Sequence, residues 1–348
     1  MRVSLARSGR SFPVEAGESL LDAAIAAGVR LAHGCRRGNC GACRARLTRG
    51  EIDYPDGPPL GLEPQDAADG LILMCRARPR GDLELDVDEL RHPDEVAVKR
   101  LPCRIERAER LGREVIVLSL RLPPVEDLAF LPGQYLDVLL PQGRRRSFSI
   151  ACPPHDARSI ELHVRYVAGG AFTESLFATD PTGRLLTIEG PLGSFRYHPP
   201  AVGAPSDTAP REAVAAPEAP TTPLLLVAGG TGYAPIQAIL RHVVERGARR
   251  AVHLYFGART AADLYADARI REIARRAPLL SYVPVLSEPA ADWGGRRGLV
   301  HDAVLADYES LAAFDGYACG PPAMIEAVCR TFPARGLDPA RLYVDSFE

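Results

Sequence analysis

Four cysteines constrain this chain more than any other feature of it. Cys35, Cys40 and Cys43 lie in the run His33-Gly-Cys-Arg-Arg-Gly-Asn-Cys-Gly-Ala-Cys43, and Cys75 follows at a distance. Four residues separate the first pair and two the second, which is the plant-type [2Fe–2S] spacing, with Cys75 as the fourth thiolate. Four thiolates that converge on one small anionic cluster require a tight loop. Gly34, Gly38 and Gly41 let the backbone wrap and turn its N–H groups inward. Arg36 and Arg37 can offset the negative charge. A structural zinc site is the rival reading, but zinc knuckles use two cysteine pairs with two residues inside each, and only one such pair exists here. Cys103, Cys152 and Cys329 have no partner pattern and read as packing residues.

A length of 348 residues favours two or three domains over one core. A net charge of −2 gives no basic footprint for nucleic acid. No stretch approaches the ~20 apolar residues of a membrane span, and Met1–Arg10 lacks the apolar core of a signal peptide. The expectation is a cytoplasmic monomer, in which the 8 cysteines serve as ligands or thiols rather than disulfides.

Hydrophobic patterning divides the chain into three folded segments, for a multidomain α+β and α/β architecture. Residues 1–92 show strand-like runs at Arg2–Leu5 and Ser11–Val14, a helix capped by Ser19 and ended by Gly28, and the alternating strand Leu83, Leu85, Val87, as in a small β-grasp domain. Residues 99–198 read as an antiparallel β-barrel, with strands at Val115–Leu120, Tyr135–Leu140, Ser147–Ala151 and Ile160–Val167. Residues 199–222, rich in Ala and Pro, have no apolar periodicity and read as a linker. Residues 223–348 alternate buried strands (Leu224–Val227, Val252–Phe256) with helices (Ile236–Val244, Ala268–Arg276), which implies a parallel sheet with helices on both faces.

The run Leu224-Leu-Leu-Val-Ala-Gly-Gly-Thr-Gly-Tyr-Ala-Pro235 is strand, glycine turn, helix. Gly229, Gly230, Thr231 and Gly232 let a nucleotide's phosphates approach the backbone, and the helix N-terminus favours their charge. No Gly-Lys-Ser/Thr follows, which excludes a P-loop.

The cysteine loop resembles the ferredoxin domain fused to the reductases of bacterial oxygenases, such as phenol hydroxylase and methane monooxygenase reductases, and is similar to CDP-6-deoxyglucoseen reductases. Outside the linker, the resemblance extends along the whole chain. Arg146-Ser147-Phe148-Ser149, after Pro132-Gly-Gln-Tyr135, resembles the Arg-x-Tyr-Ser/Thr signature of the ferredoxin–NADP reductase superfamily. The resemblance implies FAD, with Arg146 on the pyrophosphate, Phe148 against the isoalloxazine ring and Ser149 near N5. Phe replaces the usual Tyr at 148, which keeps stacking and removes a hydroxyl bond. The segment from Val164 through Gly170, Ala171, Phe172 and Thr173 resembles the family's second pyrophosphate contact. Its plain reading is a glycine turn capped by Thr173. Gly190-Pro-Leu-Gly193 matches the segment that closes the family's barrel.

The family's nucleotide turn is Gly-Gly-x-Gly-x-x-Pro, and Pro235 fits it. Tyr255–Arg259 with Asp263-Leu-Tyr265 resembles the ribose-side segment, where Arg259 would meet a 2′-phosphate or stand as a surface charge. Tyr317-Ala-Cys319-Gly320-Pro321-Pro-Ala-Met324 resembles the Cys-Gly-Pro-x-x-Met turn, which puts Cys319 beside the nicotinamide. Phe347 corresponds to a terminal aromatic lid over the flavin; a frayed end is the alternative. Together the resemblance implies a reductase that moves electrons from NADH (or NADPH) through FAD and the [2Fe–2S] cluster to a partner protein. An oxygenase component comes first and a deoxysugar dehydratase second. A redox-inert zinc module and a carrier with a degenerate reductase half are the competing readings.

Overall fold

The protein was analysed as a computed structural model, which describes residues 1–34, 36–39, 41–89, 96–156, 159–199, 222–247 and 249–347. The linker expected at 199–222 lies outside the described residues apart from its ends.

The N-terminal unit contains β1 (Arg2–Leu5), β2 (Ser11–Pro13), α1 (Leu20–Ala26), β3 (Arg44–Arg49), β4 (Ile52–Asp53), α2 (Pro64–Ala68), β5 (Leu71–Leu73), β6 (Arg78–Pro79) and β7 (Leu83–Asp86). Its main sheet has the order β2-β1-β7-β3-β5, with β1 and β7 parallel and the other pairs antiparallel. Ser19 starts α1 as the sequence implies: its Oγ accepts from the Asp22 N–H, and Asp22 suits the positive helix end. Gly28 follows the helix at φ +67°, where a Cβ would be unfavourable. Leu20, Leu21 and Ala24 pack over Val3, Leu5 and Leu85. This is the β-grasp arrangement.

The second unit contains β8 (Lys99–Leu111), β9 (Val115–Arg121), β10 (Tyr135–Leu139), β11 (Arg145–Ser149), β12 (Ser159–Arg165), α3 (Ala171–Ala178) and β13 (Leu185–Leu192). The antiparallel order is β11-β10-β13-β8-β9-β12, and an Ile150–Leu162 bridge joins the two ends into a barrel. Two strands went unseen in the sequence. In β8, Leu101, Cys103 and Ile105 point inward between Arg100, Pro102 and Arg104, so charge hides the alternation. The fourth expected strand stops at Arg165, short of Val167.

The third unit contains β14 (Leu224–Gly229), α4 (Tyr233–Glu245), β15 (Val252–Ala258), α5 (Asp267–Arg276), β16 (Leu280–Leu286), β17 (Arg296–Arg297), α6 (Val300–Asp307), β18 (Asp315–Gly320), α7 (Pro322–Ala334) and β19 (Leu342–Ser346). All its strand pairs are parallel, in the order β17-β16-β15-β14-β18-β19. Alternation along β14 separates two cores. Leu224 and Leu226 meet α4 and α5, and Leu225 and Val227 meet α6 and α7. The strand is therefore apolar throughout because both faces are covered.

Burial corrects one packing assignment. Cys103 and Cys152 are buried, and burial pushes both thiols up to about 12, so they pack as neutral groups. Cys329 is exposed instead. The buried stripe of α7 runs through Ile325, Val328 and Phe332, and Cys329 falls beside it.

Leu226 is fully buried in the central strand, so Leu226→Ala is expected to cost about 2–5 kcal/mol. Leu185, 75% exposed at the start of β13, serves as control: Leu185→Ala should stay within about 0.5 kcal/mol. Urea denaturation followed by circular dichroism measures both.

Candidate functional site

The C-terminal ends of β14 and β18 meet in two turns. After Gly229 the chain passes through a tight turn at Gly230–Gly232, with Gly230 at φ +55°, and enters α4, whose N-terminus no side chain caps. A Cβ on residue 232 would stand 2.1 Å from the Cys319 carbonyl oxygen, and one on Gly229 would stand 2.8 Å from Met324 Sδ. Glycine is thus required by a backbone-on-backbone approach. Pro235 is buried in the first turn of α4, where its missing N–H leaves no bond unmade. A cavity of about 840 Å³ opens here, lined by Gly229, Gly230, Thr231, Arg259, Pro321 and Met324 among others. The glycine-bared backbone of Gly230 and Thr231, ahead of a helix N-terminus that no side chain caps, suits a nucleotide's phosphates.

Cys319 is fully buried, and burial pushes its thiol well above the ordinary value, so it stays protonated. It pairs in register with Asp345, and Gly320 with Ser346. Phe347 follows directly: its N–H donates to the Gly320 carbonyl at 3.3 Å, and its ring packs on the core that contains Cys319. Phe347 is held rather than frayed. The structure therefore brings Cys319, Gly320, Pro321 and Phe347 to the nucleotide turn. Arg259, at the cavity's far side, has Asp263 at 3.8 Å and Glu114 at 3.9 Å.

The expected flavin residues sit on the barrel. Arg146 is exposed and donates to the Arg145 carbonyl at 2.8 Å. Ser147 donates to Asp137 at 2.7 Å, and Ser149 pairs with Tyr135 across β10. Phe148 lies 5.9 Å from Phe172, ring centre to ring centre, which brings the Arg146 strand to the start of α3. Gly170 is the N-cap of α3 and no side chain caps the helix, so its first-turn amides remain open to an anion. Thr173 is not that cap. Its hydroxyl donates to the carbonyls of Val167 and Gly170 and accepts from the Val167 N–H. Val164 is fully buried in the barrel core, so any ligand contact there is by backbone alone. An exposed guanidinium, an uncapped helix start and two half-buried or buried aromatic rings fit a flavin nucleotide.

The expected cluster ligands Cys35 and Cys40 lie outside the described residues. Cys43 and Cys75 are buried, and the Met74 N–H donates to the Cys43 carbonyl at 3.1 Å. Both thiols neighbour the Tyr54 hydroxyl: burial pushes that hydroxyl up, and the two thiols add to the push. Gly38, at φ +85°, would place a Cβ 2.7 Å from Pro59, so the loop is pressed against the next one. Two buried soft donors beside a glycine-tightened loop fit an iron–sulfur cluster. Arg36 does more than offset charge, since it binds Asp22 at 2.6 Å and Asp137 of the barrel at 2.8 Å.

Sequence reasoning missed a polar group buried between barrel and sheet. His163 Nε2 donates to Glu161 at 2.9 Å, and its Nδ1 pairs with the Tyr265 hydroxyl at 2.8 Å. Gln237 of α4 donates to Glu161 at 2.6 Å and to the Ala151 carbonyl at 3.0 Å. Tyr265 lines the nucleotide cavity. Burial alone would raise the Glu161 carboxyl, but its bonds from His163 and Gln237 hold it down at about 2. The Glu-x-His alternation on one strand was the available signal; its partners come from a distant segment.

Three family models match the chain. A 2Fe-2S iron-sulfur cluster binding domain matches residues 3–80, an oxidoreductase FAD-binding domain matches 102–197, and an oxidoreductase NAD-binding domain matches 226–330. The chain is 35% identical to the CDP-6-deoxy-L-threo-D-glycero-4-hexulose-3-dehydrase reductase of Yersinia pestis, over 100% of this chain and 98% of that protein. It is also 35% identical to an aromatic O-demethylase reductase subunit of Amycolatopsis sp., over 100% and 99%. The crystal structure of a cytochrome P450 reductase from Amycolatopsis superimposes with a TM-score of 0.77 at 35% identity, covering 99% of this chain and 98% of that one.

Two outcomes are expected. Gly232→Ala must push two turns apart and should destabilise by about 1–3 kcal/mol or more, read as a lower thermal midpoint. Glu161 has a folded pKa of about 2, below its ordinary 4.5, so its stabilisation is complete above pH ~4.5 and disappears as pH falls through ~2. The stability gap between wild type and Glu161→Gln should therefore close across that window in urea titrations.

Proposed function

The chain belongs to the reductases that join a [2Fe–2S] domain to FAD- and NAD-binding oxidoreductase domains, and from that premise we propose that it reduces an oxygenase component with electrons drawn from NADH. It is an NAD(P)H-dependent oxidoreductase of the ferredoxin-reductase type. When bound, FAD accepts a hydride from the nicotinamide and releases the two electrons singly to the [2Fe–2S] cluster and onward. The observation that carries the site assignment is the meeting of the Gly229–Gly232 turn, the Cys319–Pro321 turn and Phe347 at one end of the parallel sheet.

The residues then take these roles. The bared backbone of Gly229, Gly230 and Thr231, at the N-terminal end of α4, binds the nucleotide's phosphates. Cys319, neutral and buried, packs beside the nicotinamide and orients it; it moves no proton. Phe347 covers the flavin face and yields to the nicotinamide. Arg146 and the amides of Phe172 and Thr173, behind the Gly170 N-cap, hold the flavin pyrophosphate, and Ser149 stands near the atom that receives the hydride. Cys35, Cys40, Cys43 and Cys75 hold the cluster. The reducing interior of a cell suits those thiolates.

NADH is favoured over NADPH by charge. Arg259, one of three arginines lining the cavity with Arg113 and Arg165, has the carboxylates of Asp263 at 3.8 Å and Glu114 at 3.9 Å, which offset its charge and oppose a 2′-phosphate. A second reading of the acceptor, a deoxysugar dehydratase, is favoured by the Yersinia relative, whose whole length the chain matches. Reconstitution with each class of acceptor separates the two.

Three measurements test the reading. Anaerobic addition of NADH should bleach flavin and iron–sulfur absorption together. Arg146→Ala should purify with its iron and little flavin, and normal flavin occupancy would sink that assignment. Cys75→Ser should lose iron and acid-labile sulfide yet still reduce a dye from NADH. For nucleotide choice, Glu114→Gln should lower KM for NADPH by about two- to fivefold, since an exposed charge contributes at most ~1 kcal/mol; an unchanged NADPH-to-NADH ratio rejects the charge argument.

A further inference from the structure

The cluster loop is joined to the flavin barrel on both sides of Cys35. On the upstream side, His33 carries four bonds to two barrel residues. The Ser194 N–H and Oγ donate to its carbonyl at 2.8 and 2.6 Å, and its N–H donates to Ser194 Oγ at 3.0 Å. Its ring Nε2 accepts from the Gly193 N–H at 3.1 Å, while Nδ1 donates to the Leu31 carbonyl at 2.7 Å. The ring is thus a neutral, fully bonded tautomer. On the downstream side, Arg36 adopts φ +56°, a conformation that costs a non-glycine residue free energy and needs an anchored side chain to offset it. The anchor is Asp137, only 1% exposed, which also accepts from Ser147 in the flavin strand.

Two segments therefore meet in one seam. In sequence Cys35 falls between two bolted residues, and the bolts end on β10, the neighbour in the sheet of the strand carrying Arg146–Ser149, and on the turn after β13. Tyr135 fills the space between them. Its backbone pairs with Ser149, its ring meets His33 edge-on at 6.3 Å, and its buried hydroxyl neighbours the Arg36 guanidinium.

We propose that the Arg36–Asp137 ion pair, together with the His33–Ser194 bonds, holds the cluster loop in the seating from which it receives electrons. Arg36 is then a positioning residue for flavin-to-cluster transfer and has no part in hydride transfer. This rests on the flavin and cluster assignments made above. With FAD and the cluster bound, NADH would give the flavin one hydride, two electrons, and leave as NAD⁺. Each crossing of the seam would carry one electron from flavin to cluster and reduce one ferric ion to ferrous. An external one-electron acceptor would reoxidise the cluster before the second crossing, and the hydride's proton would pass to water. Transfer of this kind depends on distance, and a tethered domain that leaves its seat must return before each crossing.

The test is stopped-flow absorption of the full chain mixed anaerobically with NADH, with iron and flavin contents measured first. Arg36→Ala should keep wild-type flavin reduction and slow cluster reduction by about tenfold or more. Arg36→Lys should restore part of the rate. Hydrogen exchange should rise at residues 33–34 and 193–194 in Arg36→Ala and nowhere in the third unit. Should Arg36→Ala lose its iron, Ser194→Val tests the seam from the barrel side with the loop sequence intact, and the same selective slowing is expected. Cluster reduction at the wild-type rate in a fully loaded Ser194→Val or Arg36→Ala protein overturns the proposal, as does equal slowing of flavin and cluster reduction. A wild-type protein whose flavin does not bleach with NADH overturns the underlying reading instead.

Discussion

The site depends on one close approach, the backbone of Gly232 against the carbonyl of Cys319. Two parallel strands, β14 and β18, are hydrogen-bonded side by side, so their terminal turns necessarily emerge together. Only if one of those turns lacks a side chain can they close to backbone contact. That contact holds the Gly229–Thr231 backbone, which lines the cavity, against the Cys319–Pro321 turn and fixes where α4 begins. It also sets the position of the last strand, since β19 pairs with β18 and carries Phe347 to the Gly320 carbonyl. Phe347 is thereby brought beside the Cys319–Pro321 turn.

The units are held by polar groups as well as by apolar contact, Phe195 and Tyr197 of the second unit packing on Tyr317 of the third. Glu161, His163, Gln237 and Tyr265 satisfy one another across the barrel–sheet boundary, and Arg36, Asp22 and Asp137 do so across the cluster–barrel boundary. Such contacts contribute modestly to net stability, because desolvation opposes the attraction. They are demanding in geometry, because a mispaired buried charge is costly. That suits a molecule in which electrons pass between units and relative placement matters more than strength of adhesion.

Local features were read well. Ser19 caps its helix, Gly28 ends it, and the strand at 115 and the buried runs at 224 and 252 are where their periodicity places them, while the strand expected at Ser147–Ala151 forms at Arg145–Ser149. Local reasoning failed where the deciding partner was distant. β8 was hidden because arginines occupy its outer positions, and Thr173 spends its hydroxyl on Val167 instead of capping α3. Cys329 reads like any other lone cysteine until the helix stripe is known.

The sequence by itself determined the chemistry on offer: four thiols at a cluster spacing, a glycine turn between strand and helix, and an arginine-led strand. Each is a short-range pattern, and short-range sterics and donor types are written directly in neighbouring residues. Only the tertiary structure decided which groups face one another. Asp137 lies 101 residues from Arg36, and Tyr265 lies 102 from His163. No local pattern encodes such a pair, because it exists only once three separate sheets have closed and brought their edges together.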